Sequence, residues 1–113
     1  MKKILFCLAC ALAATLARAD ALPPGGAEVR AMGLLNGEAL ACKQMALVDR
    51  IRMRVVNAAA KTREMGEIFE AATTERFLAM GKAGEPCPDG RALAGRVEAA
   101  TRAMQAAFAG TEK

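Results

Sequence analysis

Glu85-Pro86-Cys87-Pro88-Asp89-Gly90 combines a helix stop, a crosslink site and a helix start in six residues. Two prolines bracket Cys87, and no helix runs through such a pair, because proline lacks the N–H and restricts the residue before it. Asp89 is placed to cap the helix that follows, or to sit in its first turn behind Pro88. The last helix is expected from about Gly90 to Ala109. Its stripe is Leu93, Val97, Ala100, Met104 and Phe108, at steps of three and four residues. Arg91, Glu98, Arg102 and Gln105 cover the outside, with Glu98 and Arg102 spaced for an i,i+4 pair.

The partner expected for Cys87 is Cys42, on an earlier amphipathic segment. Cys7 and Cys10 fall within residues 1–19, which read as a cleaved secretory signal peptide. Lys2 and Lys3 begin that segment, Ile4 to Leu16 is uncharged and apolar, and Ala17-Arg18-Ala19 offers small residues to signal peptidase. Thirteen apolar residues fall short of the about 20 that span a bilayer. Export to the periplasm or beyond places Cys42 and Cys87 where disulfides persist. One intramolecular pairing exists; a free thiol pair or an intermolecular bond is the competing reading.

Cleavage also changes the charge argument. Removing Lys2, Lys3 and Arg18 leaves 13 basic and 12 acidic residues in 94. A net charge of +1 gives little support to nucleic acid or an anionic membrane surface as partner. No stable membrane insertion is expected after cleavage. The remaining length suits one domain.

Between leader and cysteine loop, every segment reads as helix. Residues 20–26, with Pro23-Pro24-Gly25-Gly26, read as a flexible leader. Residues 27–110 then form a single helical domain, and 111–113 a tail. Val29, Met32 and Leu35 have helical spacing, weakened by Gly33, and Asn36-Gly37 offers a break. A strong helix is expected from Glu38 to about Ala60, with Leu40, Leu47, Val48, Ile51, Val55 and Ala58 on a wide apolar face. That width makes it the expected central helix. Thr62 can cap the next helix. Met65, Ile68, Phe69, Ala72, Ala79 and Met80 form its apolar face, and Gly81 and Gly84 end it. The fold expected is all-α, a three- to four-helix bundle with one disulfide.

The chemistry is bounded by absences. The chain has no histidine, tryptophan or tyrosine. Neither a Ser-His-Asp nor a Cys-His constellation is available. Two cysteines this far apart are not a zinc set, and no glycine-rich phosphate loop occurs. Glu64, Glu67, Glu70 and Glu75 read as a solvated face. Met32, Met45, Met53, Met65, Met80 and Met104 invite copper(I), but they lack Met-x-x-Met clustering and fall on or beside apolar stripes as core fillers. No cofactor and no enzymatic activity are expected.

What remains is a surface. Lys43, Arg50 and Arg54 share a helical strip, from which Arg52 is rotated away by about 200°. Exposed Leu78 and marginal Phe77 add an apolar site. These five are the candidate partner surface. The reading is an exported, non-catalytic binding module of the cell envelope, its partner another envelope or extracellular protein. The alternative is a periplasmic stress-type holdase. Two cysteines about 45 residues apart linking helices is a layout loosely similar to small acid-stress chaperones, and no motif carries the likeness further.

Overall fold

The computed structural model describes residues 21–110, so the expected signal peptide and the tail at 111–113 lie outside it. Four helices make up the bundle: α1 (Gly26–Ala41), α2 (Met45–Ala58), α3 (Arg63–Ala83) and α4 (Gly90–Ala109). The fold is all-α, without strand among the described residues, and Cys42 is bonded to Cys87.

The central helix is α1, and the long helix expected from Glu38 to Ala60 is two helices. α1 contacts α2, α3 and α4, most extensively α3. Asn36-Gly37 breaks nothing. Both residues lie buried inside α1, where Gly33 and Gly37 let the backbone of α3 come close. A Cβ on Gly33 would stand 2.6 Å from the Phe69 carbonyl oxygen, and one on Gly37 would collide with that of Thr73. The propensity cost of glycine in a helix, about 1 kcal/mol, is set against this packing. Between the glycines, Asn36 Nδ2 donates to Thr73 Oγ1 at 3.1 Å. The Thr73 hydroxyl donates in turn to the Phe69 carbonyl at 2.9 Å.

The true break is at Cys42-Lys43-Gln44. Lys43 takes a left-handed φ of 59°. Its N–H donates to the Leu40 carbonyl, and the Gln44 N–H donates to that of Ala39. Those two bonds are the Schellman closure, usually built on glycine. Cys42 therefore sits at the C-cap of α1 rather than within a helix. The Cys87 loop is bonded to that end, with the two Cα atoms 5.6 Å apart.

The other boundaries follow local chemistry. Thr62 Oγ1 accepts from the Met65 N–H at 3.2 Å and caps α3. Gly84 ends α3 at φ 59°, while Gly81 lies within it. Asp89 occupies the N-cap position of α4, but its side chain makes no capping bond. α1 begins at Gly26, after a turn in which the Gly26 N–H donates to the Pro23 carbonyl. Gly25, at φ 83°, lies beneath the Phe108 ring.

Val29, Met32, Leu35, Ile51, Phe69, Leu93, Val97, Met104 and Phe108 form one continuous core. On α4 the stripe holds as expected, with Thr101 buried beside a partly buried Ala100. Met32, Met65, Met80 and Met104 are buried as core fillers, whereas Met45 and Met53 are exposed.

Candidate partner-binding surface

Lys43, Arg50 and Arg54 do not form one strip. Lys43 lies exposed in the turn between α1 and α2. Arg50 and Arg54 reach across to α4, where Glu98 accepts from Arg54 at 3.2 Å and stands 3.9 Å from Arg50. Glu98 thus pairs between helices and not with Arg102. Arg52 does point elsewhere, to Glu70 of α3 at 3.0 Å, with its guanidinium 5.4 Å from the centre of the Phe69 ring.

Phe77 and Leu78 are brought together as adjacent exposed side chains, 46% and 52% accessible. They border a groove of about 380 Å³ whose other walls include Ala41, Met80 and Cys87. The C-terminal end of α1 and the cysteine loop thus complete a concave site that α3 alone would not form. Lys82 and Glu85 give its rim one charge of each sign.

A second constellation was not legible in the sequence. Glu38 of α1 has a side chain only 5% accessible. It accepts from Arg76 of α3 at 2.9 Å and from Arg96 of α4 at 2.7 Å. Arg76 also pairs with Glu85 at 3.0 Å. The hydrogen bonds that Arg76 donates to Glu38 and then to Glu85 raise its guanidinium above the ordinary pKa. A buried carboxylate is costly unless hydrogen-bonded and paired, and here one carboxylate joins three helices. The available signal was register: Glu38 follows Leu35 by three residues, on the buried side of α1.

Three glutamates, Glu98, Glu70 and Glu38, thus carry ion pairs between helices. A fourth is Glu75 of α3, which accepts two bonds from Arg30 of α1 at 2.8 and 3.2 Å. The hydrogen bond from Arg30, then its charge, lowers the Glu75 pKa. A carboxylate depressed in the folded state stabilises fully above its unfolded pKa, and that contribution is lost as pH falls through the folded value. Glu75→Gln is therefore expected to lower the neutral plateau of a stability-versus-pH curve slightly and to leave its acid end unchanged, which flattens the acid limb. Urea denaturation at pH 2 to 7 measures it; the pair is exposed and the effect small.

Among the described residues, no group of three or more histidine, cysteine, aspartate or glutamate side chains is arranged to hold a metal ion. No described helix is long and apolar enough to cross a membrane. Compared with family models, curated proteins and solved structures, the chain gives no match.

Proposed function

We propose that the protein is an exported, non-catalytic binding module that takes an apolar segment of another envelope or extracellular protein into the groove at Phe77 and Leu78. One observation carries this reading: two large apolar side chains stand half-exposed side by side above a concavity walled by the disulfide. Paired exposed apolar groups with a polar rim are how interface anchors are built. The crosslink supports the role by fixing one wall without a large core behind it.

A photoreactive residue at position 77 or 78 tests this in cells that export the protein. A discrete protein adduct is expected from both positions, lost when Leu78→Asp accompanies the probe at 77. The comparison position is Arg102, on the exposed side of α4. The same adducts from position 102, or none from the groove, would sink the proposal.

The holdase reading draws on a different observation. Glu38, Glu70, Glu75 and Glu98 each join two or more helices through arginine. Acid that protonates Glu75 would release the joint it makes between α1 and α3, and a loosened bundle exposes apolar surface. Suppression of a client's aggregation at low pH, absent at neutral pH and independent of Leu78, selects this reading over the groove.

A further inference from the structure

α3 and α4 each pack on α1, but their backbones do not approach one another. Between them runs a valley of about 580 Å³, floored by Ala31, Leu34 and Leu35 of α1. Its sides carry Arg76 and Ala79 of α3 and Arg96 of α4. It lies on the opposite side of α3 from the Phe77 groove, since positions 76 and 79 are turned away from 77, 78 and 81 on a helix of about 100° per residue.

Charged and apolar side chains both line it. Arg76 and Arg96 both reach to the Glu38 carboxylate, each bonding one of its oxygens. Arg96 spends a single nitrogen there. Its side chain is 55% accessible, and among the described residues its other N–H groups meet no acceptor. The Arg30–Glu75 pair also borders the valley and is neutral as a unit. The leucine and alanine side chains supply a strip that a hydrocarbon can cover.

We infer that this valley binds an anionic amphiphile of the aliphatic carboxylate class, independently of the groove at Phe77. The headgroup lies on the outward N–H groups of Arg96, and the chain lies along Leu34, Leu35 and Ala79. A guanidinium fork matches two carboxylate oxygens. Glu38 acts as a positioning residue: its buried carboxylate holds Arg96 in place from below, so the fork is set before the ligand arrives. A neutral amphiphile lacks the charge-assisted bonds, and a cationic one meets guanidinium groups. A short anion such as acetate forfeits the apolar floor.

The experiment titrates octanoate into the oxidised protein by calorimetry, below its micelle concentration, beside octanol, acetate and octyltrimethylammonium. Saturable one-to-one octanoate binding is expected, at least tenfold tighter than octanol or acetate, with no binding of the cation. Arg96→Gln is expected to weaken octanoate about tenfold or more and leave octanol unchanged. Arg96→Lys should restore only part of the loss. Because Arg96→Gln also removes a bond to Glu38, methyl NMR shifts in the unmodified protein give a second readout. Octanoate should move Leu34, Leu35 and Ala79 and leave Leu78 unmoved. No saturation, equal affinity for octanol or acetate, an unaffected Arg96→Gln variant, or shifts centred on Leu78 would each overturn the inference.

Discussion

Replacing Cys42 and Cys87 together by serine is expected to lower the melting temperature by about 15–30 °C. The bond closes a loop whose ends are 45 residues apart in sequence. Constraining an unfolded loop of that length stabilises by about 4 kcal/mol in the chain-entropy model. In a domain this small, about 1 kcal/mol moves the midpoint by about 4–8 °C. Neither cysteine belongs to the buried core, so serine leaves no large cavity and the loss reflects the crosslink. Circular dichroism melts of the oxidised protein, the double variant and the reduced protein measure it. The last two should coincide. An unchanged midpoint would mean that packing alone holds the loop against the end of α1.

Gly37→Ala is expected to destabilise by about 2–3 kcal/mol, against a helix propensity that favours alanine by about 1 kcal/mol. Propensity loses because the new methyl meets the Thr73 carbonyl oxygen, the Arg76 Cβ at 2.8 Å and the Phe77 nitrogen at 3.0 Å. Two of the three are backbone atoms of α3 and cannot rotate aside. α1 and α3 must move apart, which also stretches the Asn36–Thr73 bond and the clamp on Glu38. The control is Gly66→Ala, in the same helix pair but with no atom within 4 Å of the added carbon. There propensity acts unopposed, and a gain of up to about 1 kcal/mol is expected. Urea denaturation of both variants reads the two signs. Two changes of the same sign would refute the close-approach argument.

Much of the architecture was legible because local chemistry and tertiary structure agree. Pro86 and Pro88 stop a helix in any context, and Cys42 has one intramolecular partner if Cys7 and Cys10 leave with the expected signal peptide. The α4 stripe and the Thr62 cap are local signals of the same kind. α1 was misread where local and tertiary effects oppose. Gly33 and Gly37 weaken an isolated helix, yet the approach of α3 requires them. The break at Lys43 was hidden because it is made by a left-handed lysine, while the apolar spacing continues from Leu40 into Leu47. For the surface, Phe77 and Leu78 stood out as apolar residues off the stripe. The basic strip rested on a helix that does not span Lys43 to Arg54. The Glu38 clamp joins residues 38 and 58 positions apart, and no short-range pattern encodes such a meeting.

The hub position of α1 also sets an order of events during synthesis. Chains are made and begin to fold from the N-terminal side. Of the four helices, α1 is made first, although it is the one whose burial depends on all the others. Until Arg76 emerges, Glu38 has neither of its guanidinium partners, and the glycine face has no backbone to meet. Oxidation is later still, since Cys87 follows the whole of α3. The disulfide therefore cannot form until α1 and α3 have both been made. From that point the end of α1 can be locked to the loop after α3, and α4 is the piece made afterwards.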